Sequence, residues 1–323
     1  MMADVSTNIL KRPLLISWAL THRCNQRCLY CKIWKRNCRE LGKKQVFSII
    51  DQLSALGTIL ICFSGGEPLI REDSGDILEY THKKGILFDI STNGFFVKKR
   101  LKQIKNARLI CLSLDGPAGI HDIIKKAGSY SRAIDSAILL KRENIPVYFR
   151  TVLSKINLES IDYILKLALK LKIKVIFQPV TRTYYGSGKH NEFMPLINHY
   201  RAAIGKLIKE KESGNPYIQN SLKVLDYFKK WPFPAQIPCV SGKIFFHISP
   251  DGKFYPCIWG KNLRYLKAKS CLKQGIAKAI ESISEENCEG CWDAAACNFN
   301  FSFFDSIANP KKTVDDINIF KVE

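Results

Sequence analysis

The sequence predicts an α/β fold, a partial (β/α)6 barrel followed by a small C-terminal cysteine-rich domain of hairpin plus helix. Three observations carry that prediction. From residue 13 to about 200, six short apolar runs alternate with longer stretches of helical periodicity, the pattern of a parallel sheet with right-handed crossovers. Six such units fall short of the eight that close a barrel, so the barrel is expected to stay open. Finally, a proline-rich bridge, Trp231-Pro232-Phe233-Pro234 with Pro238 beyond it, separates this rhythm from a region holding six of the chain's twelve cysteines.

The strands expected are Leu14–Leu20, Thr58–Phe63, Leu87–Ile90, Leu109–Leu114, Val147–Leu153 and Val175–Pro179. Helices are expected between them. In Lys43–Leu56, Val46, Ile49, Ile50, Leu53 and Leu56 share one face, and Arg132–Glu143 and Leu158–Leu171 behave alike. After residue 181 a Gly/Tyr-rich loop leads into helices around 195–212 and 219–230. Beyond the bridge, Ile244–Ile248, the turn Pro250-Asp251-Gly252 and Phe254–Cys257 read as a hairpin. The division expected is 1–200 for the barrel, 201–238 for a helical linker, 239–310 for the cysteine-rich domain and 311–323 for a tail.

The chain has 323 residues, 46% of them hydrophobic, enough to bury a full core. No apolar run approaches the roughly 18 to 20 residues that cross a bilayer. Lys11 and Arg12 before Pro13–Leu20 imitate a short signal peptide, but no small-residue cleavage site follows. That run reads as the first buried strand, and the protein as cytoplasmic. Cytoplasmic cysteines stay reduced, so twelve of them in clusters point to metal rather than to disulfides. Cys62 and Cys111 lie in apolar runs and read as small core residues, and Cys38 as an unligated thiol in a basic loop. The net charge of +21 favours anionic partners such as nucleic acid, acidic peptides or phosphorylated metabolites, or is background from a lysine-rich composition.

The chemistry centres on Cys24-Asn25-Gln26-Arg27-Cys28-Leu29-Tyr30-Cys31. Three thiolates in eight residues can take three irons of a cubane and leave the fourth open. Structural zinc prefers four ligands in paired C-x2-C units, which this triad lacks. The segment resembles the radical SAM superfamily, whose hallmark is C-x3-C-x2-C after the first barrel strand, often with an aromatic before the last cysteine, here Tyr30. The resemblance implies a 4Fe–4S cluster on Cys24, Cys28 and Cys31, with S-adenosylmethionine chelated to the open iron. An electron from the reduced cluster then cleaves the sulfonium to a 5′-deoxyadenosyl radical.

Three further strand ends fit that resemblance. In Ser64-Gly65-Gly66-Glu67-Pro68, two glycines let backbone approach a ligand, and carbonyls and a carboxylate can accept from an ammonium group. The segment resembles the GGEP motif, which implies that Gly65, Gly66 and Glu67 hold the methionine amino group. Ser91-Thr92-Asn93-Gly94 and Ser113-Leu114-Asp115-Gly116 resemble segments near cofactor and substrate, with Asn93 and Ser113 as the contacts. The family often carries an arginine just after the Asp-Gly-Pro segment, where this chain reads His121-Asp122-Ile123-Ile124-Lys125-Lys126. Arg150 and Gln178 are expected to point inward as barrel polar residues, within reach of cofactor or substrate.

The C-terminal cysteines are Cys239, Cys257, Cys271, Cys288, Cys291 and Cys297. Gly252 ahead of Cys257, and the pair Cys288-Glu289-Gly290-Cys291, resemble the SPASM and twitch extensions, which carry auxiliary clusters. Cys297 is the last cysteine, so the full SPASM pattern is incomplete and a one-cluster version fits better. The expected ligands are Cys239, Cys257, Cys288 and Cys291, with Cys297 as competitor. A zinc knuckle on the same ligands is the alternative.

The expected function is hydrogen abstraction from a peptide or protein substrate, aided by the auxiliary cluster, with a reductant such as flavodoxin or ferredoxin. Small-molecule dehydrogenation or decarboxylation, as in cofactor or haem synthesis, is a rival reading. A nucleic-acid-binding protein is the rival of another class, though no RNA-binding appendage is recognisable. About thirteen residues precede the first strand, too few for an N-terminal leader-peptide-binding domain, which weakens the peptide reading unless a separate protein supplies that role.

Overall fold

The computed structural model describes residues 11–184, 187–258, 269–283, 288 and 290–308. The expected tail, 311–323, and Tyr185, Gly186 and Glu289 lie outside the described residues. Five β-then-α units and a sixth strand come first: β1 (Leu15–Thr21), α1 (Lys43–Ala55), β2 (Leu60–Gly65), α2 (Ser74–Lys83), β3 (Leu87–Thr92), α3 (Val97–Ile104), β4 (Leu109–Ser113), α4 (Ala118–Ile124), α5 (Ser129–Arg142), β5 (Val147–Leu153), α6 (Ile161–Leu171) and β6 (Val175–Pro179). Then come α7 (Ile197–Glu212), α8 (Leu222–Phe228), β7 (Phe245–Ile248), β8 (Lys253–Tyr255), β9 (Lys269–Ser270), α9 (Cys271–Glu281) and α10 (Ala294–Ala308).

Among the described residues the strands form one open sheet in the order β6-β5-β4-β3-β2-β1-β7-β8-β9. β1 to β6 run parallel, so their C-terminal ends share one edge. Strand period two assigns the faces. Trp18, Phe63, Phe88, Ile110 and Phe149 are buried on the face away from the cavity. Full burial of each such side chain contributes about 1.5–3 kcal/mol. The alternate residues, among them Ser17, Cys62, Asp89, Cys111 and Arg150, face a cavity inside the barrel. Cys62 and Cys111 are thus lining residues and not simple core filler.

Two further features modify the expected outline. The C-terminal hairpin does not stand apart: β7 pairs parallel with β1, from Leu15↔Phe245 to Trp18↔Ile248, and so extends the barrel sheet past its first strand. The expected helix Leu158–Leu171 opens as a 3-10 turn, Leu158–Ser160, before α6 begins.

The far edge, β6, is capped by the chain just before α8. Val175 N–H donates to Tyr217 O at 2.7 Å and Gln219 N–H to Val175 O at 2.8 Å. The Asn220 side chain then accepts from Phe177 N–H at 2.8 Å and donates to Phe177 O at 2.9 Å. A side-chain amide here replaces a seventh strand and leaves less open edge for another chain. α10 lies beside this cap: Ser221 N–H donates to Asn298 Oδ1 at 3.0 Å.

Candidate active site

The loops after β1, β2, β3 and β4 all emerge at the C-terminal edge of the sheet. Cys24, Cys28 and Cys31 are half-buried on the first of them and line one cavity of about 810 Å³ together with Gly65, Gly66, Asn93 and Ser113. Burial pushes all three thiols up, Cys28 to about 12. Ligand binding would have to draw the protons off. Cys38 does not join them: its Sγ lies 3.4 Å from His22 Nδ1, away from the cavity lining.

The turn after β2 is pressed against the base of the cysteine loop. Gly66 N–H donates to Thr21 O at 2.7 Å, and Glu67 N–H to Arg23 O at 2.9 Å. A Cβ at Gly65 would stand 2.1 Å from Thr21 O, and one at Gly66 2.2 Å from Arg23 O, so only glycine admits this approach. Glu67 itself turns away from the cavity and is fully buried. Its Oε1 accepts from Leu69 N–H at 3.1 Å and Thr92 Oγ1 at 2.9 Å, and its Oε2 from Asn93 N–H at 2.8 Å. Burial raises its carboxyl to about 7, against the pull of those donors. The GGEP resemblance implies direct contact of Glu67 with an ammonium group. Here the carboxylate oxygens are engaged inside the protein, and the glycine backbone faces the cavity. Asn93 reaches back to the cysteine loop, donating from Nδ2 to Asn25 Oδ1 at 2.8 Å.

After β4, Asp115 is a fully buried hub. Its Oδ1 accepts from Val152 N–H at 3.0 Å, and its Oδ2 from Tyr30 OH at 2.6 Å, with Lys125 Nζ 3.1 Å away. Burial opposes ionisation, but the Lys125 charge holds the carboxyl below its ordinary range. The backbone N–H of Asp115 donates to His121 Nδ1 at 3.0 Å, and burial lowers that imidazole to about 4, so it is neutral. Asn157 ties the hub to the next strand, donating to Asp115 O at 2.8 Å and Val152 O at 3.0 Å. Neither Lys125 nor Asn157 stands out in the sequence, because each gains its role only once distant segments pack.

Deeper in the cavity, Arg108 is paired with Asp89, and Cys62 Sγ lies 3.8 Å from Asp89 Oδ2. Arg150 Nη1 lies 3.9 Å from Asp293 Oδ2, which comes from the C-terminal region. Both line the cavity, as does Gln178. Asp293 escaped sequence reading. Its signal was its place just ahead of Ala294-Ala295-Ala296, where its Oδ1 accepts from Ala296 N–H at 2.9 Å as a helix cap.

The second cysteine set is more spread. Cys257 lines the cavity, while Cys239 and Cys288 are exposed. Cys239 Sγ accepts from Ser241 N–H at 3.4 Å and lies 3.7 Å from Asn300 Nδ2. Tyr227 OH donates to Ala235 O at 2.8 Å and accepts from Cys291 N–H at 3.0 Å. Its ring stacks on Trp292 with centroids 4.9 Å apart. Cys297 is fully buried on α10 and donates from Sγ to Cys291 O at 3.1 Å. Cys271 starts α9 and is buried, a core residue.

Among the described residues, no three cysteine, histidine, aspartate or glutamate side chains converge to grip a single metal ion. The donor set after β1 has the chemistry of a cluster site: three soft thiols on one loop and one cavity, with backbone and amide groups at its rim.

The family model of the Radical SAM superfamily matches residues 18–168. The chain is 30% identical over 194 residues to Fe-coproporphyrin III synthase of Methanosarcina barkeri, covering 58% of this chain and 48% of that protein. It is 26% identical over 257 residues to PqqA peptide cyclase of Rhodopseudomonas palustris, covering 76% and 67%. It therefore spans about half the length of the first relative and about two thirds of the second. Among solved structures, Streptococcus suis SuiB bound to S-adenosylmethionine superposes with a TM-score of 0.68 at 16% identity, covering 84% of this chain and 66% of that one. At that identity the likeness speaks for the fold. The cysteine loop, the open parallel barrel and the family match agree, and residues 18–168 of this chain form a radical SAM superfamily domain.

Proposed function

We propose that the protein cleaves S-adenosylmethionine reductively and abstracts hydrogen from a peptide or protein substrate, aided by an auxiliary 4Fe–4S cluster. The superfamily's cofactors are a 4Fe–4S cluster and S-adenosylmethionine. When bound, they supply the reductive cleavage that yields a 5′-deoxyadenosyl radical. We assign Cys24, Cys28 and Cys31 to the cluster, and the backbone of Gly65 and Gly66 with Asn93 and Ser113 to S-adenosylmethionine. Glu67 positions Asn93. Cys239, Cys257, Cys288 and Cys291 are assigned to the auxiliary cluster.

The observation that carries this reading is the shared cavity: the three thiols and three neighbouring strand ends face one space of about 810 Å³. That space can hold a cofactor and the reacting part of a substrate. The peptide preference rests on the similarity to PqqA peptide cyclase over 76% of the chain. The similarity to Fe-coproporphyrin III synthase favours a second reading, a small-molecule substrate. A flavodoxin or ferredoxin would supply the electron, in the cytoplasm. No helix among the described residues is long and apolar enough to cross a membrane.

The test is anaerobic reconstitution with a strong reductant. Slow formation of 5′-deoxyadenosine from S-adenosylmethionine is expected even without substrate. No cleavage by protein shown to contain the reduced cluster would refute the assignment.

A further inference from the structure

The cysteine loop is clasped by the segment joining α4 to α5. Leu29 N–H donates to Ile124 O at 3.0 Å, and Gln26 Nε2 donates to Ser129 Oγ at 3.0 Å. Between these two contacts, Lys125 sends its ammonium inward. Nζ donates to Tyr30 OH at 2.8 Å and lies 3.1 Å from Asp115 Oδ2. The side chains of Lys125 and Asp115 are only 6% and 0% exposed.

A buried ion pair is expensive, and an apolar pair of similar volume often serves stability as well or better. Stability alone is therefore a weak reason for charge at this position. The arrangement has a direction. Lys125 lines the cavity shared with the three thiols, whereas Asp115 is enclosed behind it. Lys125 also touches the loop itself, through Tyr30 between Cys28 and Cys31. The cavity lined by the three thiols thus meets the positive end of the pair. Val152 N–H and Tyr30 OH anchor the negative end.

We propose that Lys125 is a positioning residue that sets the reduction potential of the cluster held by Cys24, Cys28 and Cys31. This rests on the assignment of those three cysteines as ligands. Reduction adds one electron from an external one-electron donor to the cluster, with no bond made or broken. The product carries one more negative charge, and a fixed cation beside it favours that form. Lys125 accordingly raises the potential and eases the electron's entry.

The experiment is a redox titration of the anaerobically reconstituted full chain with dithionite, followed by electron paramagnetic resonance. The barrel cluster is identified as the signal that changes on adding S-adenosylmethionine. Lys125→Met should shift the reduction equilibrium about tenfold towards the oxidised form, about 59 mV for a one-electron couple. Lys125→Arg, which keeps the charge, should stay near wild type. Asp115→Asn/Lys125→Met leaves no buried charge behind and should shift in the same direction by less; it carries the test where the single variant fails to load iron. An unshifted potential in the loaded Met or double variant, or an equal shift in Lys125→Arg, would overturn the role. Iron content and 5′-deoxyadenosine formation report separately on the ligand assignment. A loaded variant that cleaves S-adenosylmethionine at an unshifted potential defeats only the role of Lys125.

Discussion

The backbone N–H of Asn93 donates to the buried carboxylate of Glu67 at 2.8 Å, so the turn after β2 fixes the end of β3. Thr92 Oγ1 makes a second bond to the same carboxylate at 2.9 Å. Asn93 in turn holds Asn25 of the cysteine loop. Glu67→Ala should therefore release Asn93 and weaken S-adenosylmethionine binding about tenfold or more, at a cost of about 1–3 kcal/mol for the donors left without a partner. The clusters should still assemble. Calorimetric titration of the reconstituted protein is the check, and unchanged affinity would refute the positioning role.

The same carboxylate makes a pH prediction. Burial raises Glu67 from 4.5 to about 7. Between those values the folded protein keeps a proton that the unfolded chain releases, so stability falls as pH rises through the window and levels off above it. The size is up to about 3 kcal/mol at 1.36 kcal/mol per unit. His22, His121 and His247 act oppositely: burial lowers them from 6.5 to about 4, 4 and 3, and their contribution is lost as pH falls below about 6.5. The readout is thus the difference between wild type and Glu67→Gln in urea unfolding from pH 5 to 8. That difference should change with pH below about 7; a constant offset would contradict the raised value.

Asn157 is fully buried, and its amide serves four groups: it donates to Asp115 O and Val152 O and accepts from Ser154 N–H at 2.8 Å and Ser154 Oγ at 2.9 Å. Asn157→Leu leaves those groups buried and unpaired. At about 1–3 kcal/mol each, partly relieved by relaxation, the loss should reach about 3 kcal/mol in denaturant unfolding. A loss under about 1 kcal/mol would mean that the hub around Asp115 does not depend on this amide.

The sequence made the strand ends legible because their chemistry is local. Cysteine spacing, paired glycines and Asn-Gly or Asp-Gly turns mark loops whatever packs on them. What lay hidden was non-local. The pairing of β7 with β1 joins segments more than 200 residues apart, for which periodicity gives no signal. Cys62 and Cys111 looked like core because an apolar run does not declare which face borders a cavity. Lys125 stands just after α4, and its contact with Tyr30 forms only when α4 meets the cysteine loop. In α10, the alternation Asn298-Phe299-Asn300-Phe301 masks a helix that its Asp293 cap and three alanines begin.

The last prediction concerns the auxiliary ligands. Cys291 and Cys297 lie side by side, and the neighbouring Cys297 thiol, then burial, raises Cys291 well above its usual range. Only Cys291 sits on the C-x2-C turn with Cys288, and that turn is held by the bond from Cys291 N–H to Tyr227 OH. Cys297 is fixed within α10, its Sγ already donating to Cys291 O. One loop folding onto one hairpin would then complete the proposed four-thiolate set with Cys239 and Cys257, so cluster and local fold should form together. Total iron should be roughly eight per chain on full loading, and replacing Cys24, Cys28 and Cys31 together should leave roughly half. Cys291→Ala should lose the auxiliary signal in electron paramagnetic resonance, and Cys297→Ala should keep it. Tyr227→Phe, which frees the turn without touching a thiol, should lower auxiliary iron while the barrel cluster stays loaded. The reverse result for the two cysteines would move the ligand to Cys297. Stoichiometric zinc with no auxiliary iron in anaerobically purified protein would defeat the auxiliary cluster altogether.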